Sequence, residues 1–87
     1  MMYSLSARRV DDGYRYSVTD EAGHVLDSRI TARTYRGAVV ALSEMSERAS
    51  VWSWHPTSAA ALSAAATLRH RRPEILVSAV TAAGIPS

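Results

Sequence analysis

Residues 34–49 read Thr34-Tyr35-Arg36-Gly37-Ala38-Val39-Val40-Ala41-Leu42-Ser43-Glu44-Met45-Ser46-Glu47-Arg48-Ala49, and the element they form decides the architecture. Tyr35, Ala38, Val39, Leu42, Met45 and Ala49 recur at three- and four-residue spacing, the stripe of a helix with one apolar side. Arg36, Glu44, Glu47 and Arg48 fall on the other side, and Thr31 or Thr34 offers a hydroxyl for the N-cap. The spacing predicts a helix from about Tyr35 to Ala49. Gly37 costs such a helix about 1 kcal/mol relative to alanine, so its presence points to close approach of the helix to the sheet.

Upstream, the period changes from helical to two. Tyr3, Leu5 and Ala7 alternate with Ser4, Ser6 and Arg8, and Asp11-Asp12-Gly13 supplies turn chemistry after Val10. Tyr14, Tyr16 and Val18 alternate with Arg15, Ser17 and Thr19. Asp20-Glu21-Ala22-Gly23 then places glycine where a hairpin with a bulge needs positive φ. A third strand runs from His24 to Thr31, with Leu26, Ser28 and Ile30 on one face and Val25, Asp27 and Arg29 on the other. These three segments predict an antiparallel meander.

Downstream, Ser50 to His55 reads as a short fourth strand with Trp52 and Trp54 on one face, stopped by Pro56. Thr57 or Ser58 caps a second helix over the alanine-rich run Ala59 to Leu68, whose large apolar anchors are only Leu62 and Leu68. Pro73-Glu74 followed by Ile75, Leu76, Ala79, Val80 and Ala83, with a stop at Gly84, Ile85 and Pro86, predicts a third helix over 74–83. The rival reading is a strand over Ile75 to Val80, since that run is rich in β-branched residues. The expected class is therefore α+β in a single domain, residues 1–87: three-stranded antiparallel meander, helix, short fourth strand, then two helices.

Eighty-seven residues leave no room for a second core, and 47% hydrophobic residues with 21% charged are ordinary for a folded globule. No cysteine is present, which excludes disulfides, thiolate nucleophiles and cysteine-held metals. No segment reaches the ~18 apolar residues of a bilayer span and no basic leader opens the chain, so a cytoplasmic location and no membrane partner are expected. All ten basic residues are arginine, in keeping with GC-rich coding such as that of an actinobacterium or one of its phages. Every acid except Glu74 lies at or before Glu47, so Arg69, His70, Arg71 and Arg72 form a cationic run in an acid-poor half.

The order β-β-β-α-β-α, carried by Tyr14-Arg15-Tyr16-Ser17-Val18, Gly23-His24-Val25-Leu26, Ala38-Val39-Val40-Ala41-Leu42 and Val51-Trp52-Ser53-Trp54, resembles the ribonuclease H-like fold in truncated form. That resemblance implies carboxylates for two metal ions at three places. Here those places read Leu5-Ser6-Ala7, Thr34-Tyr35-Arg36 and His55-Pro56, none of which offers the anionic oxygens a magnesium pair needs. A second resemblance, over Tyr3 to Ala49, is to HicB-like antitoxin domains through the turn Asp12-Gly13-Tyr14. Ala22-Gly23-His24 stands where those domains carry Pro-Gly-Cys.

No enzyme is expected. His24, His55 and His70 never fall at metal-ligand spacing, and neither a Gly-x-Ser-x-Gly elbow nor a phosphate-binding glycine loop occurs, so no metal, cofactor or catalytic residue is assigned. Glu44 and Glu47 read as a solvated helix face, and Asp11, Asp12, Asp20 and Glu21 as turn formers. Two features stand out from this background. Arg69, His70, Arg71 and Arg72 complement a helix C-terminus and also suit an anionic partner. Trp52 and Trp54 suit a core or a sheet edge covered by a partner or a second copy, a homodimer. The functional expectation is a small non-catalytic interaction protein, phage or mobile-element encoded, binding a host or cognate protein through the sheet edge or the arginine-rich helix end. The alternative is an electrostatic nucleic-acid binder or antitoxin-type regulator, with single-strand recognition disfavoured because no aromatic residue interleaves the arginines.

Overall fold

The structure, a computed structural model, describes residues 2–43, 45 and 48–82. It contains six strands and one helix: β1 (Tyr3–Val10), β2 (Gly13–Asp20), β3 (Val25–Thr31), β4 (Gly37–Leu42), β5 (Ser50–His55), α1 (Ser58–Arg71) and β6 (Leu76–Thr81). The strands form two antiparallel three-stranded sheets, ordered β1-β2-β3 and β5-β4-β6. The meander is present with Leu5 opposite Val18 and Ala7 opposite Tyr16. Its second turn uses Gly23 at φ 89°, while the Asp20 carboxylate accepts from the backbone N–H groups of Ala22 (3.0 Å) and His24 (2.9 Å).

The expected fold class is overturned beyond the meander. Residues 37–42 are the central strand of a second sheet and not a helix, and 76–81 are a strand that flanks it, so the rival reading of that segment is the one the molecule adopts. The physical reason is burial on both sides. Ala38 and Val40 face the first sheet, in one cluster with Leu5, Tyr16, Val18 and Val80. Val39 and Ala41 face α1, in another with Ala65, Leu68 and Ile75. A strand covered on both faces has no polar positions to reveal a period of two, so a run such as Ala38-Val39-Val40-Ala41 fits either element by pattern. The remainder of the expected first helix, at Glu44, Ser46 and Glu47, and the stop at Gly84, Ile85 and Pro86 lie outside the described residues.

β5 and β6 both pair antiparallel with β4, from opposite sides, and α1 crosses between them over the sheet. The result is three layers: meander, second sheet, helix. The sheets also approach at their margins, β1 beside β6 and β3 beside β5. α1 is the expected alanine-rich helix, capped by Thr57, whose hydroxyl accepts from the Ala60 N–H at 3.1 Å. Its buried residues, Ala61, Ala65 and Leu68, are mostly small, which lets the helix lie close to β4 and β6.

Two bulges change the expected faces. In β3 the register shifts between Val18 and Thr19, so Leu26 packs into the core between the sheets while Ser28 and Ile30 pair with Ser17 and Arg15 on the outer face. In β5 the shift opposite Val39 and Val40 separates the two tryptophans. A bulge inserts one residue on one strand and so reverses the alternation beyond it.

Candidate binding site

The cationic run does not act as one patch. Arg69 turns to β6, donating from Nε (3.2 Å) and Nη2 (3.0 Å) to the Val77 carbonyl. Arg72 closes the helix by donating its backbone N–H to the Leu68 carbonyl at 2.8 Å, and its guanidinium is ion-paired with Glu74, whose carboxyl it holds below the ordinary glutamate range. His70 is exposed, and among the described residues no hydrogen bond or ion pair engages it or Arg71. All four sit where the helix C-terminus favours positive charge.

The tryptophans divide as well. Trp54 packs in the cluster between the sheets, 5.9 Å from the Tyr35 ring and 6.5 Å from Tyr16, with the Arg29 guanidinium 5.8 Å from its centroid. Trp52, at the bulge, remains 55% exposed. The shared face expected for the pair is therefore absent. The bulge and the neighbouring β3 also work against a second copy pairing along β5, because a regular, open edge is what strand addition requires.

What the fold does bring together is Trp52 and the end of the arginine run. Trp52 and Ser53 of β5, with Ala64, Thr67, Leu68, Arg71 and Arg72 at the C-terminal end of α1, line one hollow of about 540 Å³. No carboxylate lines it. Ser53 is held by a 2.7 Å hydrogen bond between its Oγ and Nε2 of His55. The chemistry on offer is an exposed indole, the Arg71 guanidinium and the Thr67 hydroxyl, with Arg72 engaged by Glu74 and Ser53 by His55: groups that bind a planar or apolar moiety beside negative charge. Sequence reasoning singled out Trp52, Arg71 and Arg72 but kept them apart. It missed Ser53, Ala64 and Thr67, for which small, common residue types give no signal.

A second hollow, of about 600 Å³, lies where the β2–β3 turn meets the start of β5. It mixes Asp20 and Glu21 with His24 and Arg48, and partial burial together with those two carboxylates raises the Tyr3 phenol above its ordinary range. Leu42 and Arg48, also in its lining, flank a segment that includes residues outside the description. Among the described residues no three histidine, aspartate or glutamate side chains gather as a metal site, and no helix is long and apolar enough to cross a membrane. Comparison with family models, with curated proteins and with solved structures finds no match to this chain.

Proposed function

We propose that this chain is a small, non-catalytic binding module whose working surface is the hollow between the β5 bulge and the C-terminal end of α1, and whose partner is anionic. The observation that carries the reading is the meeting of Trp52 with Arg71 in a lining that itself holds no carboxylate, Glu74 being drawn to Arg72 at its margin. Tryptophan and arginine are the residue types that contribute most per contact at binding surfaces. Both expectations drawn from the sequence, an acidic host or cognate protein and a nucleic acid, fit this one place.

The test is retention on a polyanion column. Arg71→Glu is expected to elute at clearly lower salt than the unaltered chain. Arg8→Glu, the same charge change in the meander, where Arg8 pairs with Arg15 on the sheet, is expected to shift elution much less. Equal shifts for the two variants mean that only net charge matters and that the hollow is not the binding surface.

A further inference from the structure

We infer that the hollow takes a segment of single-stranded nucleic acid, with one base stacked on the Trp52 indole and an adjoining phosphate on Arg71, beside the Arg72–Glu74 pair. The inference rests on the reading of this hollow as an anion-binding surface and names its ligand. In the primary sequence no aromatic residue accompanies the arginine run, which is the signature expected of attachment by charge alone. Folding supplies the missing platform. The β5 bulge leaves Trp52 more than half exposed, and the packing of α1 sets Arg71 and Arg72 along the same hollow.

Each component has a separate role. A broad, exposed indole costs the chain apolar exposure, and a base face is a surface that stacks on it regardless of base identity. Phosphate carries the negative charge that the Arg71 guanidinium binds in forked geometry, while Arg72 keeps its pair with Glu74. Thr67 adds a hydroxyl that serves as a donor to sugar or phosphate oxygens, and Ala64 leaves the space between helix and strand open. At about 540 Å³ the hollow falls within the range of roughly 300–1,000 Å³ that accepts a compact planar ligand. An acidic peptide would satisfy the Arg71 guanidinium and leave the indole uncovered. A duplex hides its base faces in its own stack.

The experiment is a fluorescence titration of the whole chain with three probes: a short oligothymidylate, an abasic phosphodiester of equal length, and an oligoglutamate peptide. Oligothymidylate is expected to quench tryptophan emission and to bind tighter than the abasic strand. Trp52→Ala is expected to weaken oligothymidylate binding about 5- to 100-fold, the range of one lost base stack, while Trp52→Phe keeps most of it. Arg71→Gln is expected to lower the salt dependence by about one phosphate contact between about 50 and 200 mM salt. Equal binding of the abasic strand, or indifference to Trp52→Ala, overturns the stacking inference and leaves the anion-binding surface intact. Preference for oligoglutamate overturns the ligand class in favour of an acidic protein. Failure of all three probes to bind overturns the surface itself.

Discussion

Gly37 and Ala61 meet where β4 passes under α1, so closely that a Cβ built on Gly37 would lie 2.5 Å from the Cβ of Ala61. The close approach that the glycine signals in the sequence is real, although the element carrying it is a strand. Gly37→Ala forces the helix away from the sheet and is expected to destabilise the chain by about 1–3 kcal/mol. Ala61→Gly should offset part of that loss despite the cost of a helical glycine. Urea midpoints of the two single variants and the double variant give the coupling. Additive losses would show that the two residues do not touch.

Arg69 and Arg71, two apart in one basic run, should separate stability from binding. Arg69→Ala removes two hydrogen bonds to the Val77 carbonyl from a solvent-exposed site and is expected to lower stability by about 0.5–1.5 kcal/mol. Arg71→Ala has no such contact to lose. Its thermal midpoint should stay near that of the unaltered chain while its affinity for polyanions falls. Calorimetry on both variants checks the first half and a salt-gradient elution the second.

The parts of this fold legible in the sequence are those with one wet face. β1 and β2 alternate between core residues such as Leu5 and Val18 and outward serines and arginines, and their turns carry the aspartates and glycine that such turns need. α1 is legible through propensity and its Thr57 cap. β4 is not, because Ala38 and Val40 meet one layer while Val39 and Ala41 meet another, and a strand with two dry faces shows no alternation. Met45, three residues after Leu42, and Ala49, four after Met45, lend it a helical period by coincidence. β6 is legible only as the rival reading of a strand over Ile75 to Val80, through Ile75, Val77 and Val80. The candidate site stays hidden for a related reason. Its members come from β5 and α1, and only the crossing of the helix over the sheet puts them side by side.

Asp20 gives a pH dependence. Its carboxylate accepts from the His24 and Ala22 backbone N–H groups, which holds its pKa below the usual 3.8, with His24 contributing charge as well. A group whose pKa falls on folding adds stability that is present above its unfolded value and lost as pH drops through the folded one. The unaltered chain should therefore exceed Asp20→Asn in stability at neutral pH. The gap should close as the solution is acidified from about pH 4 downward. A constant gap across that window would mean that the carboxylate's charge plays no part in the turn.

Single-tryptophan variants test the β5 bulge directly. On a regular strand residues two apart share a face, so Trp52 and Trp54 would report the same surroundings. With the bulge, Trp54 stands among Tyr16 and Tyr35 beneath the Arg29 guanidinium, and Trp52 stands open beside α1. Trp52→Phe leaves the shielded indole, which should emit further to the blue and resist acrylamide quenching. Trp54→Phe leaves the open one, which should be quenched readily. Stability should divide the same way: Trp54→Ala forfeits much of the roughly 3–5 kcal/mol typical of a large aromatic lost from a core, and Trp52→Ala stays within about 0.5 kcal/mol. Matching spectra and matching losses would return both indoles to one face, and with them the hollow would lose the platform on which ligand stacking depends.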